Sequence, residues 1–186
     1  MIKQLFVLVG IAVIASLPCL AKTVPSDGLK VVIIRHGEKP ETGDNLSCQG
    51  ENRALQIPEV IKQKYGIPNF SYVPTLSLGS STSHARMFQT ITPFAIKYNL
   101  TVNSSYGEKD TSKAAADVMK KTGMVLMVWE HSNIQALATS LGAKNAPPWP
   151  SGDDFDSIWV VTYQKGVATL TTTDSEGITP SPDCSF

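Results

Sequence analysis

The chain has no surplus charge of either sign. Its 186 residues hold 16 basic and 16 acidic side chains, a formal net charge of zero, which leaves nothing to neutralise a phosphate backbone beyond a local patch. Nucleic acid is therefore not among the expected partners. Repeats and low-complexity segments are missing too, and a composition 42% hydrophobic and 17% charged excludes a disordered chain, a collagen-like repeat and a coiled coil. Long apolar runs are scarce: the stretch from Leu5 to Leu17 is too short for a comfortable membrane span. Arginine and histidine are rare, with three of each.

That apolar stretch follows Lys3 and leads into Pro18-Cys19-Leu20-Ala21, the pattern of a secretory signal peptide with small residues at the positions a signal peptidase reads. Cleavage after Ala21 is expected. It would leave residues 22–186 as a single domain of net charge −1, Lys3 being the only charge lost. The product would be periplasmic or secreted, with no stable membrane insertion. In an oxidising compartment the two remaining cysteines, Cys48 and Cys184, either pair or stay as free thiols. A bridge would tie the C-terminal tail to the front of the domain and stabilise it by roughly 4 to 5 kcal/mol through chain entropy.

The rest of the sequence alternates short β-branched runs with longer helical stretches, an α/β signature. Leu29 to Ile34 and Met124 to Trp129 are continuous apolar runs suited to central strands buried on both faces. Thr75 to Leu78 and Leu100 to Val102 read as further strands. Helices are expected over residues 49–64, with a kink at Pro58, then over 83–98, 114–121, and from a capping box at Ser132 to Gln135 through to Leu141. Residues 146–156 form a Pro-rich loop, and residues 157–163 and 167–173 a hairpin turning at Lys165-Gly166. Together these predict one doubly wound, mostly parallel sheet with helices on both faces. In such sheets ligands lie beyond the carboxyl ends of the strands.

The rare cationic residues collect at those ends. Arg35-His36-Gly37 closes the first buried strand, His131 closes the run ending at Trp129, and Arg86 opens the helix after the second strand. Guanidinium forks match the oxygens of a phosphoryl group, and a helix N-terminus adds positive potential. An imidazole can attack phosphorus and carry the group as phosphohistidine while the arginines hold the developing charge. Gly37 would let the backbone pass close to the ligand. A carboxyl is needed nearby to protonate the leaving oxygen.

Val31-Val32-Ile33-Ile34-Arg35-His36-Gly37-Glu38-Lys39-Pro40 resembles the Arg-His-Gly signature of the histidine phosphatase superfamily, which includes phosphoglycerate mutases and histidine acid phosphatases. Leu46-Ser47-Cys48-Gln49-Gly50-Glu51-Asn52-Arg53-Ala54 is similar to the segment that opens its first helix. Ser81-Thr82-Ser83-His84-Ala85-Arg86-Met87-Phe88-Gln89-Thr90 is similar to its Ser-Ser-x-x-x-Arg-Ala-x-Gln-Thr segment, and Val125 to Ile134 to the strand carrying the second histidine. The resemblance implies a phosphoglycerate mutase-like fold. It implies His36 as nucleophile, Arg35 and Arg86 as phosphate ligands, His131 as a donor to the same oxygens, and Lys39 as an added point charge. It also makes Arg53 a structural helix residue.

Three carboxyls compete for the role of proton donor: Glu108 first, by alignment with a mutase-like stretch, then Glu130 beside His131, then Glu38. On a continuing strand Glu130 would point away from the site, so its candidacy requires the strand to end there. His84 stands where relatives carry an apolar residue and is expected at the surface or in packing. Trp149, Tyr106 and residues 147–155 are candidates for the entrance. The activity expected is metal-independent hydrolysis of a small phosphomonoester without a cofactor. A phospho-ligand-binding module and a phosphomutase are the alternatives. A metal site built from His36, His131 and a glutamate ranks below these, because two arginines would repel the cation.

Overall fold

The two continuous apolar runs form the centre of a six-stranded sheet. The computed structural model describes residues 24–76 and 83–186. The signal-peptide reading, the end of the strand expected at Thr75 to Leu78, and Ser81 and Thr82 of the third motif lie outside those residues. In chain order the elements are β1 (Leu29–Arg35), α1 (Cys48–Tyr65), β2 (Phe70–Pro74), α2 (Ala85–Tyr98), β3 (Val102–Tyr106), α3 (Thr111–Val118), β4 (Gly123–Trp129), α4 (His131–Ser140), β5 (Ser157–Gln164) and β6 (Val167–Ser175).

The strand order is β3-β2-β4-β1-β5-β6. The first four strands run parallel, and β5 and β6 complete the sheet antiparallel. The period of two along each central strand divides its residues between two cores. Val31 and Ile33 of β1 and Val125, Met127 and Trp129 of β4 pack with Ala114, Val118, Ile134 and Leu137 from α3 and α4. Val32 and Ile34 with Leu126 and Val128 pack on the opposite face with Ile57, Ile61, Met87, Ile91 and Phe94 from α1 and α2. Both faces are covered, which is why these strands read as unbroken apolar runs.

Several boundaries differ from expectation for identifiable reasons. The second strand lies at Phe70–Pro74 and ends before Thr75, where the expected strand began, because Asn69 pins the preceding turn to β4. Its N–H donates to the Met124 carbonyl and its Oδ1 accepts from the Met124 N–H, both at 2.9 Å. β3 starts at Val102, where the expected strand ended. As an edge strand it accommodates the polar run Asn103-Ser104-Ser105. The capping box at Ser132 does not form. The helix begins two residues earlier with Glu130 as its N-cap, and the Gln135 amide instead donates to the Ala146 carbonyl at 2.8 Å. Pro58 sits inside a helix that continues to Tyr65.

The β5–β6 hairpin turns at Lys165 and Gly166, with φ of 50° and 74°, the left-handed pair that a tight hairpin turn needs. Cys48 and Cys184 are disulfide-bonded, with Cα atoms 4.9 Å apart. The bond joins the C-terminal tail to the first residue of α1, and the Asn52 amide reinforces it by donating to the Ser181 and Asp183 carbonyls.

Candidate functional site

The site begins where β1 and β4 end together. Arg35 and Trp129 are register partners, and the His36 N–H donates to the Trp129 carbonyl at 3.3 Å. The next residues, His36 and Glu130, are therefore neighbours. The strand has ended at Trp129, so Glu130 is free to turn inward, with φ −78° and ψ 128°. Its Oε2 lies 3.0 Å from His36 Nε2, while His36 Nδ1 lies 2.7 Å from the Gly37 carbonyl. Glu130 Oε1 also contacts His131 Nδ1 at the first residue of α4. Burial alone would raise the Glu130 pKa. The bond from His36 and the charges of His36, His131 and Arg35 outweigh it and hold the carboxyl at about 2. His131 is pushed below the ordinary histidine range by burial and by the nearby Arg35 charge.

Arg35 is fully buried. Its Nη1 donates to the carbonyls of Gly152 and Asp154 at 2.6 and 3.0 Å, and the Phe155 ring stacks 3.8 Å from the guanidinium carbon. Among the described residues its Nε and Nη2 have no acceptor. Two buried nitrogens carrying three N–H donors are costly in this state, and an anion is the natural partner for them.

The family-like motifs fasten the loop after β1. A Cβ on Gly37 would stand 2.6 Å from the Gly50 carbonyl oxygen, and one on Gly50 would stand 2.2 Å from that of Glu38. Gly37 is thus required by the first turn of α1 rather than by close approach to a ligand. Ser47 caps that helix, accepting from the Gly50 N–H, and donates to the Glu38 carbonyl. Thr90 Oγ1 accepts from the Gly37 N–H at 2.9 Å and donates to the Arg86 carbonyl. Gln89 accepts from the Leu46 N–H. The third motif therefore holds the first two in place.

Arg86 reaches the same region from α2. Its guanidinium donates to the carbonyls of Gly43 and Asn45. A cavity of about 290 Å³ is lined by Asp44, His84, Arg86, Glu108 and Glu130. Arg86 and Glu130 both line it, and Glu130 is the residue that contacts His36. Glu108 enters from the loop after β3, its carbonyl accepting from Trp129 Nε1 at 2.8 Å. His84 Nδ1 lies 3.0 Å from Glu108 Oε2, so His84 faces the site rather than serving only as a surface or packing residue.

The candidate donors separate on these grounds. Glu38 is held by Arg53 through both carboxylate oxygens at 2.8 to 3.0 Å, and Arg53 is buried and also bonded to Glu176. This removes Glu38 as a proton donor and makes Arg53 structural. Glu130, ionised far below neutral pH, is poorly suited to donate. Glu108 shares the cavity. Lys39 is exposed. Trp149 is buried against Trp159 and donates to the Asp154 carbonyl, so it shapes the loop that holds Arg35 and is not an entrance residue. The clamp of Gly152, Asp154 and Phe155 on Arg35 was hidden in sequence, more than a hundred residues away; a loop of apolar and turn residues carried no signal for it.

No family model and no curated protein sequence matches the chain. Solved structures do. The protein histidine phosphatase SixA complexed with tungstate superposes with a TM-score of 0.56 and 18% identity over 79% of this chain and 97% of that one. A mycobacterial glucosyl-3-phosphoglycerate phosphatase with inorganic phosphate gives 0.54 and 14% over 77% and 94%. A phosphoserine phosphatase mutant from Entamoeba histolytica in complex with phosphoserine gives 0.53 and 13% over 80% and 97%. At these identities the likeness is one of architecture: the chain has the fold of the histidine phosphatases.

Proposed function

We propose that the chain is an exported phosphomonoester hydrolase acting on a small phosphorylated substrate through a phosphohistidine on His36. The observation that carries this is the buried Arg35, with Nε and Nη2 lacking an acceptor among the described residues, directly beside a histidine. His36 Nδ1 is engaged by the Gly37 carbonyl, which leaves Nε2 as the attacking atom once Glu130 withdraws. Arg35 and His131 supply donors to the phosphoryl oxygens, and Arg86 adds charge from the cavity side. The leaving oxygen takes its proton from the corner occupied by Glu108. The fold it shares with phosphatases agrees with this chemistry, and the Cys48–Cys184 bond suits an oxidising destination.

The test is hydrolysis of p-nitrophenyl phosphate at mildly acidic pH without added metal. Turnover is expected in the purified protein, with loss in His36→Ala and an acid-labile phosphohistidine trapped during the reaction. Wild-type turnover in His36→Ala would overturn the mechanism. A second reading, a phospho-ligand-binding module without catalysis, is favoured by one observation, the Glu130 carboxylate seated on His36 Nε2. Stoichiometric phosphate binding with no turnover would select it.

A further inference from the structure

His84 is the first of α2's flanking residues that the proposed chemistry does not use, and its placement is unusual. It caps the helix in the left-handed conformation, φ 59° and ψ 20°, a region that non-glycine residues enter at a cost. That backbone directs Nδ1 to within 3.0 Å of Glu108 Oε2. Glu108 is itself anchored, because Trp129 Nε1 holds its carbonyl and Trp129 is the register partner of Arg35. His84 and Glu108 thus occupy one wall of the cavity that also holds Arg86 and Glu130. They also border a second cavity with Lys109 and Asp110. A histidine whose Nδ1 is engaged by an anchored carboxylate presents Nε2 as its working atom.

Resting on the phosphatase reading above, we infer that the leaving-group acid is His84, with Glu108 as the carboxylate that positions it. As His36 Nε2 bonds to phosphorus, the bond from phosphorus to the ester oxygen breaks. The departing alkoxide takes the proton from His84 Nε2, and His84 is left neutral with its Nδ1–H on Glu108. In the second half-reaction water attacks the phosphohistidine. His84 Nε2 takes the proton of that water as the P–N bond breaks, which restores His36 and the protonated His84. Glu108 remains a carboxylate throughout. The assignment gives both members of the pair a task without asking one carboxyl to hold its proton beside an imidazole.

The experiment compares two substrates that differ in their need for an acid. The leaving group of p-nitrophenyl phosphate departs as a stable phenolate, whereas that of ethyl phosphate is an alkoxide requiring a proton. His84→Asn suits the measurement, since Asn tolerates positive φ. The readout is kcat/KM, which reports only the steps through loss of the leaving group. His84→Asn is expected to lose about 10²-fold to 10³-fold on ethyl phosphate and about threefold or less on p-nitrophenyl phosphate, while the shared hydrolysis of the phosphohistidine slows equally for both. Glu108→Gln is expected to show the same selectivity with a smaller loss. An equal loss of kcat/KM on both substrates, or no loss of kcat/KM on ethyl phosphate, overturns the assignment of His84 while His36-dependent turnover stands. Absence of turnover of either ester by the wild-type protein overturns the phosphatase reading and this inference together.

Discussion

Glu130 Oε2 rests 3.0 Å from His36 Nε2 because the two residues directly follow the register partners Trp129 and Arg35. Parallel pairing of the central strands thus places a carboxylate against the one nitrogen that nucleophilic chemistry would use. The contact is set by backbone geometry, and four consequences of the site and its supports can be measured.

A phosphoryl group approaching His36 must displace the Glu130 carboxylate, and two anions in one partly buried site repel each other. Glu130→Gln keeps the size and removes the charge. Inorganic phosphate is expected to bind this variant about tenfold more tightly, ~1.4 kcal/mol, as read by competitive inhibition or calorimetry. Unchanged or weaker binding would mean that Glu130 does not compete for the anion's place.

The same residue links stability to acid. Its folded pKa of about 2 lies below the ordinary value of 4.5, so the unfolded chain binds more protons between those limits. Stability from this group is therefore complete above about 4.5 and is lost as the pH falls toward 2. Because the group is partly exposed and screened by solvent, the contribution is on the order of 1 to 2 kcal/mol. Urea midpoints at mildly acidic and strongly acidic pH are expected to fall less in Glu130→Gln than in wild type. Parallel falls would count against the His36–Glu130 contact in solution.

Gly37→Ala and Gly50→Ala each force a methyl group into backbone atoms of the facing segment, at 2.6 and 2.2 Å. Backbone cannot swing aside as a long side chain can. Each variant is expected to lose about 2 to 3 kcal/mol or more, measured by chemical denaturation, with loss of any phosphatase activity. A near-neutral alanine at either position would show that the loop and helix are not in contact.

Reducing the Cys48–Cys184 bond releases a sequence separation of 136 residues. Chain entropy predicts a cost of roughly 5 kcal/mol at most. Melting curves of wild type with and without reductant, and of Cys184→Ser, are expected to shift down together. If reductant leaves the midpoint unchanged, the bond is absent from the purified protein.

β1 and β4 were readable because apolar residues fill both faces of each, and the Lys165-Gly166 turn because positive φ selects such a pair. β2 was not: its buried Ser71 and exposed Phe70 invert the usual sign of burial, and its position depends on Asn69 reaching another strand. The Arg35-His36 pair and its meeting with His131 could be foreseen from strand ends. What could not was the direction of Glu130, since that turns on a strand ending at Trp129 rather than one residue later. The neighbours of Arg35 and the partnership of His84 with Glu108 join segments whose approach is decided by the fold as a whole. The Ser132 to Gln135 pattern misled because local capping competed with the backbone turn at Glu130.

The contact between Gly37 and Gly50 also bears on inheritance. Selection has no graded series of alternatives at either place, since the smallest available change already collides with main chain on the opposite side. The two positions behave as one character, kept or abandoned together with the helix start and the strand exit they join. Descendants of this sequence that drift widely elsewhere are expected to retain both, or to have rebuilt this corner entirely.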